Sequence, residues 1–349
     1  MPKKVILAVD AMGGDYGPSI VVKGADMARA RSHDLEFVFF GQEERIQAEL
    51  SRYSKLNKIS RIVHTSEQIL GTDKPSHALR RGRKSSMGLA ISAVQEGEAH
   101  AAVSAGNTGA LMAMSKFILR TLEGIDRPAL GSLLPTRRGE SIMLDLGANV
   151  EASAQALVQF AIMGAVFART VFGSAKPTVA LLNVGVEDLK GTEDLREAGQ
   201  LLRDTPDLPL SFVGFAEGDN IGAGDVDVIV TDGFTGNIAL KTAEGTAKLI
   251  ADLMKRAFTT SIWSKIGYAL ARPGLTSLKD HLNPDNHNGA VFLGLNGLVV
   301  KSHGGAGAQG IATALSMAID LARHDINERI AKDLSAVQSE PELAVAADR

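Results

Sequence analysis

Cysteine is absent from this 349-residue chain, which excludes disulfide bonds, thiolate metal sites and a cysteine nucleophile. Long apolar runs are missing too. The longest candidate, residues 154–168, contains two glutamines and a glycine and is typical of a buried helix rather than a membrane span. The apolar run at residues 5–9 is too short for the core of a signal peptide. We therefore expect a cytoplasmic protein.

A strong net charge is also lacking. The formal charge is −3 at pH 7, so the molecule as a whole has no electrostatic reason to bind nucleic acid. The eight histidines show no metal-ligand spacing, and we expect neither a metal nor a cofactor. With 45% hydrophobic and 22% charged residues, the chain can bury a large core. We predict one α/β catalytic domain over residues 1–334 and a disordered polar tail at 335–349.

Strand-like and helix-like segments alternate along most of the chain. Strands are predicted at residues 3–9, 35–41, 59–63, 101–103, 178–184, 210–215, 226–230 and 298–302. Helices are predicted at 20–30, 43–53, 79–96, 110–122, 152–172, from 238 onward and from 311 to about 334. Two short runs at 130–134 and 142–146 flank a tight basic turn and predict a hairpin. The alternation indicates a mostly parallel sheet with helices on both faces.

The stretch SAGNTG at residues 104–109 lies between a predicted strand and a predicted helix. Glycines let the backbone approach a ligand closely, and the free N–H groups at a helix start favour a negative group. The alternative is an ordinary helix start, capped by Asn107 or Thr108. The candidate anion-binding residues in this stretch are Ser104, Gly106, Asn107 and Thr108.

Similar clusters of glycine, asparagine and acid follow other predicted strands. Because open α/β sheets bind ligands at the carboxyl ends of their strands, we expect these clusters to converge at one edge of the sheet. For Asp15 a capping role competes, and a lysine beside glutamate is either a solvated ion pair or a phosphate-handling ammonium. The candidate residues are Asp10, Gly13 and Gly14; Asn183, Glu187 and Lys190; and Asp232, Gly233 and Asn237.

The segment GAGAQG at residues 305–310 matches the dinucleotide fingerprint G-x-G-x-x-G. That fingerprint requires a following strand with an acid about 20 residues further on, whereas this chain stays helical. We interpret the segment as a helix-start loop that carries His303, and we do not expect NAD binding.

Residues 249–275 predict two amphipathic helices with a break at 259–261. The second helix contains Trp263, the only tryptophan, and basic residues outnumber acids along the pair. Apolar and aromatic side chains flanked by cations suit the surface of an anionic bilayer. The alternative is a helical pair packed against a second copy of the chain. We assign residues 262–270 to the membrane and expect the pair to protrude from the domain.

An ordered set of motifs resembles the bacterial phosphate acyltransferases of phospholipid synthesis. The set comprises DAMGGD at residues 10–15, DKPSHALR at 73–80, SAGNTGALMA at 104–113, LLNVGVEDLKG at 181–191, TDGFTGNIALK at 231–241 and KSHG at 301–304. One motif departs from the family: at residues 214–220 this chain reads GFAEGDN and lacks the usual arginine and asparagine.

The resemblance implies that an acyl group passes from acyl carrier protein to inorganic phosphate, giving acyl phosphate for phosphatidic acid synthesis. It also implies a homodimer, a fold akin to isocitrate dehydrogenase and phosphotransacetylase, and a downstream membrane acyltransferase as partner. Because carrier protein is acidic, an enzyme of net negative charge needs a local basic patch to bind it. We expect Arg80, Arg81, Arg83 and Lys84 to contribute to that patch; a solvated helix face is the alternative.

Within this reaction, we assign phosphate or the developing oxyanion to Lys190, with Glu187 holding the lysine ammonium in place. Asn107, Asn183 and Asn237 supply neutral donors, and His303 is a candidate for moving a proton. Other functions remain open: a phosphotransacetylase-like enzyme using acyl-CoA, a nicotinamide-dependent dehydrogenase, or a catalytically silent scaffold.

Overall fold

A computed structural model of the chain describes residues 4–338. Eleven strands in this part of the chain form one sheet. They are β1 (Val5–Asp10), β2 (Leu35–Gly41), β3 (Ser60–His64), β4 (Ala101–Ser104), β5 (Ala129–Thr136), β6 (Gly139–Leu144), β7 (Thr178–Leu182), β8 (Ser211–Ala216), β9 (Val228–Val230), β10 (Ala290–Leu293) and β11 (Leu298–Lys301). Their order across the sheet is β3-β2-β1-β4-β11-β10-β5-β6-β9-β7-β8.

Helices fill most of the connections between the strands. The first six are α1 (Pro18–Arg31), α2 (Glu43–Leu50), α3 (Ser54–Asn57), α4 (Pro75–Arg81), α5 (Ser86–Gln95) and α6 (Thr108–Leu119). The others in the described residues are α7 (Ala154–Phe172), α8 (Glu193–Asp204), α9 (Gly233–Thr259), α10 (Ile262–Leu282), α11 (Ala308–Arg323) and α12 (Ile326–Gln338).

The strands do not all run in one direction. Strand β1 is parallel to β2 and β4, and β11 is parallel to β4. Strand β10 is antiparallel to both β11 and β5, and β5 pairs with β6 as the predicted hairpin. Strands β9, β7 and β8 then continue parallel to β6. It follows that β6 to β9 run opposite to β1, β4 and β11.

Helices cover both faces of the sheet, which confirms the predicted α/β architecture. Because successive side chains of a strand point to opposite faces, neighbouring residues of β1 enter different cores. Leu7 packs in the cluster that contains α1, α7 and α11, whereas Ala8 packs in the cluster that contains α5 and α6. The central strands read as continuous apolar runs for the same reason.

Helix α7 is the one helix in residues 4–338 that is long and apolar enough to cross a membrane. Within the fold, 67% of its most apolar window is buried. The side chain of Ser153 accepts a hydrogen bond from the Ala156 amide at its start, and Gly173 ends it with φ of 71°. The helix is therefore a core element, as its sequence predicts.

Several predicted boundaries are wrong for local reasons. The helix expected at 79–96 is divided into α4, a 3₁₀ turn at Gly82–Lys84 and α5. The cause is Ser85, whose hydroxyl donates to Gly82 O and accepts from the Gly88 amide, so that it is the N-cap of α5. Helix α9 begins before the expected residue 238, since Asp232 caps it.

Strand β10 was not predicted. Helix α12 continues to Gln338, inside the predicted tail, and residues 339–349 lie outside the described part.

The predicted helical pair is confirmed, including the break between its members. Helix α9 ends at Thr259 and α10 begins at Ile262, where the Ser261 side chain accepts from the Ser264 amide. The two helices pack on each other, with the Phe258 and Tyr268 ring centroids 5.5 Å apart. Both carry exposed apolar side chains, so the pair presents apolar surface to its surroundings.

Candidate active site

The first group of candidate residues lies where β1 and β4 end. The buried Asp10 carboxylate accepts hydrogen bonds from Ser104 Oγ at 2.7 Å and from the Met12 amide at 3.2 Å. Burial raises the pKa of Asp10, and the hydrogen bonds from Ser86 and Ser104 oppose that rise. A Cβ at Gly13 would come within 2.7 Å of Asp10 Oδ2 and 2.8 Å of the Gly106 amide, so only glycine fits there. Asp10 therefore joins the loops that follow β1 and β4.

Asn107 is occupied by structural hydrogen bonds. Its Oδ1 accepts from the Ala110 amide at 2.9 Å, which caps α6, and its Nδ2 donates to Gly71 O at 2.7 Å. The capping alternative therefore describes its contacts. Thr108, the first residue of α6, is exposed, and amides in a first helical turn have no partner within the helix. The backbone of this helix start is better placed to bind an anion than the Asn107 side chain.

His303 lies on the neighbouring loop after β11. The Asp15 amide donates to Gly304 O at 2.9 Å, which joins this loop to Gly14 and the end of β1. Burial, followed by the positive charge of Lys241, lowers the pKa of His303, so the ring is neutral at pH 7. The Gly305 amide donates to His303 Nδ1 at 3.2 Å, which assigns the ring proton to Nε2. In this tautomer His303 can donate a hydrogen bond but is poorly prepared to remove a proton.

Two buried residues beside His303 were missed in the choice of site residues. Asn288 Nδ2 donates to Ser302 Oγ at 2.7 Å, and its Oδ1 accepts from the His303 amide at 3.0 Å, so Asn288 fixes the loop. Lys301 Nζ donates to Ser302 O, and burial lowers the pKa of Lys301 to about 8. The KSHG motif contained a signal for Lys301, but nothing in the sequence marked its burial.

A second group lies at the ends of β6 and β9. The buried Asp145 carboxylate accepts from the amides of Leu130 at 3.0 Å and Asn149 at 2.7 Å, and burial raises its pKa. The Gly233 amide donates to Asn149 O at 2.7 Å, which joins the two loops. Asp145 therefore organises this group, although it was not chosen as a site residue.

Asp232 and Asn237 have different surroundings in this group. Asp232 accepts from the amide of Thr235 at 2.8 Å and from its hydroxyl at 2.7 Å, so it is the N-cap of α9. Asn237 is exposed, and its Nδ2 donates to Leu146 O at 3.1 Å. Of the two, Asn237 is the side chain that a ligand can reach.

The third group is the loop after β7. Asn183 Nδ2 donates to Lys190 O at 3.1 Å and its Oδ1 accepts from the Val184 amide at 2.8 Å, which closes the loop. Gly191, at φ of 87°, leaves room for this side chain. The expected clamp of Lys190 by Glu187 is wrong: within the described chain they meet through the backbone, Lys190 N donating to Glu187 O at 3.0 Å, and no ion pair joins them. The Lys190 side chain is exposed.

The expected convergence of all clusters at one edge of the sheet is also wrong. Because β6, β9 and β7 run opposite to β1, β4 and β11, the first group lies at one edge and the other two at the opposite edge. Two features reduce this separation. A sheet twists by about 20–25° for each pair of neighbours, which turns distant strands strongly relative to one another. Helix α9 starts in the second group and brings Lys241 within electrostatic reach of His303.

A basic groove is lined by residues of α4, the 3₁₀ turn after it, α5 and α6. Its volume is about 710 Å³, and its apolar lining includes Leu79, Met112 and Phe117. The Arg83 guanidinium lies over the Phe117 ring, 5.8 Å from its centroid. The basic residues that line the groove are Arg83, Lys116 and Arg120. Only Arg83 belongs to the basic cluster predicted from the sequence.

Comparison with known proteins assigns the family. Residues 5–329 match a family described as "Fatty acid synthesis protein". A phosphate acyltransferase from Rhodospirillum centenum is 55% identical over 344 residues, which cover 99% of this chain and 97% of that protein. One from Rhodopseudomonas palustris is 53% identical over 346 residues, covering 98% of each.

Solved structures agree at the level of the fold. A phosphotransacetylase from Streptococcus pyogenes has a TM-score of 0.60 and 19% identity, with 92% of this chain and 95% of that chain covered. EutD phosphotransacetylase from Staphylococcus aureus has a TM-score of 0.59 and 18% identity over the same shares. At such identities the likeness shows the fold alone. On the sequence matches, the chain belongs to the family of fatty acid synthesis proteins that includes these bacterial phosphate acyltransferases.

Proposed function

We propose that this chain transfers an acyl group from acyl carrier protein to inorganic phosphate. The observation that carries the proposal is identity of 53–55% over nearly the full length to proteins named phosphate acyltransferase. A phosphate oxygen attacks the thioester carbonyl carbon, and the carbon–sulfur bond breaks. The proton of hydrogen phosphate passes to the leaving thiolate, so the products are acyl phosphate and free carrier protein. No covalent enzyme intermediate is required.

The groups described above suit the charges that this reaction develops. Lys190 has an exposed ammonium for phosphate, and Asn237 has an accessible amide on the adjacent loop system. His303, neutral with its proton on Nε2, is suited to donate to the carbonyl oxygen as it gains charge. Glycine loops around Gly13, Gly106 and Gly233 keep side chains away from the backbone amides. The caps Asp232 and Asn107 and the loop-closing Asn183 support these groups.

The test measures loss of thioester from acyl carrier protein in the presence and absence of phosphate. We expect phosphate-dependent loss with acyl carrier protein and much slower loss with acyl-CoA. Equal or faster reaction with acyl-CoA would favour the alternative, a phosphotransacetylase-like enzyme, which the fold also accommodates. Loss of thioester that does not depend on phosphate would contradict both.

We assign the docking site of acyl carrier protein to the basic groove. An acidic partner fits a surface lined by Arg83, Lys116 and Arg120 with Phe117 exposed between them. Replacing Arg83 and Lys116 by glutamate should raise the Michaelis constant for acyl carrier protein about tenfold and leave that for phosphate unchanged, with the larger effect at low salt. Lys55→Glu on α3, remote from the groove, is the matched control. An unchanged constant for carrier protein would contradict this docking site.

The α9–α10 pair is assigned to two further contacts. We place a second copy of the chain, forming a homodimer, against α9, and an anionic membrane against α10. The apolar side chains of α10 support this placement, since Trp263 is 77% exposed and Leu270 is 80% exposed. The product, an acyl phosphate with a long aliphatic chain, partitions into lipid, where a downstream membrane acyltransferase would consume it. The protein then acts in the cytoplasm at the membrane surface.

A further inference from the structure

Six large apolar side chains are exposed on the loops after β6 and β7 and on the first turns of α9. Strands β6, β9 and β7 pair side by side with Leu144, Val230 and Leu181 in register, so the segments that follow them emerge next to one another. The bond from Gly233 N to Asn149 O, 2.7 Å long, joins two of these segments directly. The exposed side chains are Val150, Val184, Val186, Leu189, Phe234 and Ile238.

Side-chain contacts hold the loop that carries three of these residues, Val184, Val186 and Leu189. Asn183 closes the loop after β7, and Asp188 in the same loop forms an ion pair with Arg203. The Arg203 guanidinium in turn lies 5.6 Å from the ring centroids of Phe212 and Phe215. Leu189 nevertheless remains 86% exposed. Clustered apolar side chains on a fixed surface mark a binding site, whereas single ones are ordinary.

Two of the apolar residues are direct neighbours in sequence of exposed polar residues of the candidate site. Leu189 precedes Lys190, and Ile238 follows Asn237. A ligand that satisfies both kinds of group has a polar or anionic head and a long aliphatic tail. A short polar ligand such as phosphate would leave the apolar side chains in water, and a wholly apolar ligand would leave Lys190 unused.

We propose that this surface, defined by Val150, Val184, Val186, Leu189, Phe234 and Ile238, holds the aliphatic chain of the acyl substrate. The thioester carbonyl then lies at the polar end of the surface, beside Lys190 and Asn237. The identity of the acyl donor rests on the proposed function. The surface itself makes this chain selective for long acyl groups, because each methylene group contacts apolar side chains that are otherwise in water.

The first test measures binding without turnover. Calorimetric titration with hexadecanoate, with butanoate as the short-chain comparison, should show binding of the long chain alone. The double variant Val186→Ser and Leu189→Ser, and separately Ile238→Ser, should each weaken hexadecanoate binding about tenfold. Val213→Ser is the matched control, because Val213 is 51% exposed on β8 outside these loops and should leave binding unchanged.

The second test measures turnover with hexadecanoyl and butanoyl carrier protein. The same variants should lower kcat/KM about tenfold for the long chain and change it less than twofold for the short one. Hexadecanoate binding that is absent, or equal in the variants and the native chain, would overturn the proposal. So would variants that turn a dimer into a monomer, since a second copy would then cover the surface. Binding as expected without phosphate-dependent turnover would support the surface and contradict only the proposed function.

Discussion

Lys190 is the residue on which the proposed chemistry depends most directly. Its backbone oxygen and nitrogen, not its side chain, make the contacts that shape the loop. Lys190→Ala should therefore keep the fold and lower kcat about 100-fold, because the ammonium proposed to bind phosphate is lost. Acyl phosphate formation by the folded variant is the measurement.

Lys176→Ala offers a matched comparison, since Lys176 is also exposed but lies before β7, at the other end of the strand. We expect it to retain the native rate. Turnover close to native in Lys190→Ala would remove Lys190 from the site.

The chemistry of single residues was predicted only in part. The proximity of Asp10 to Ser104 follows from two strand ends, which sequence patterns locate well. The capping roles of Asn107 and Asp232 could not be separated from ligand binding, because the same side chains serve both purposes at a helix start. Asn288 could not be found at all, since its contacts with Ser302 and His303 arise only in the folded chain.

At the scale of elements, His287 links the end of α10 to the β5–β6 hairpin. His287 Nδ1 lies 2.7 Å from Glu140 Oε1, and its Nε2 lies 3.0 Å from His281 O. The hydrogen bond to Glu140 raises the pKa of His287 above its ordinary value of 6.5. A raised pKa in the folded state stabilises the fold fully below pH 6.5, and that stability is lost as the pH rises through the folded value.

Glu140→Gln should therefore cost about 1 kcal/mol at pH 6 and less at pH 9, a modest value because Glu140 is partly exposed. Urea unfolding at the two pH values measures the difference. Glu98→Gln is the control, since Glu98 pairs with Arg61, which keeps its charge throughout this range. An equal loss of unfolding free energy at pH 6 and pH 9 would contradict an ion pair between His287 and Glu140.

The proposed contact of α10 with an anionic membrane gives a separate prediction. Trp263 is the chain's only tryptophan, so its fluorescence reports on this helix alone. Anionic vesicles should shift its emission to the blue as the ring enters the interface, and zwitterionic vesicles should shift it less. Trp263→Glu with Ile266→Glu should abolish co-sedimentation with anionic vesicles, whereas Leu70→Glu, exposed before α4, should not. Unchanged emission together with intact co-sedimentation of the double variant would exclude α10 as the anchor.

Elements with strong periodicity were predictable, and short or composite ones were not. The break between α9 and α10 follows from the polar residues at 259–261. Strand β10 has four residues and no alternating pattern, so only its partners β5 and β11 define it. The division between α4 and α5 depends on one side chain, Ser85, whose capping role competes with continuation of the helix.

At the scale of the whole molecule, the α/β class was predictable but the relative direction of the strands was not. The hairpin β5–β6 was predicted, yet it alone reverses every strand that follows β6 in the sheet. Strand β10, which was not predicted, is antiparallel to both β11 and β5, so those two strands run in the same direction. As a result, the sequence suggested one edge for groups that occupy two, and α9 is the element that brings the two groups toward each other.

The fate of isotopically labelled phosphate tests the central claim most directly. The protein is incubated with long-chain acyl carrier protein and labelled inorganic phosphate, and the acyl product is isolated. The proposed reaction predicts labelled acyl phosphate in amounts equal to the free carrier protein released. Release of carrier protein together with unlabelled free fatty acid would show attack by water, and would contradict phosphate acyl transfer by this chain.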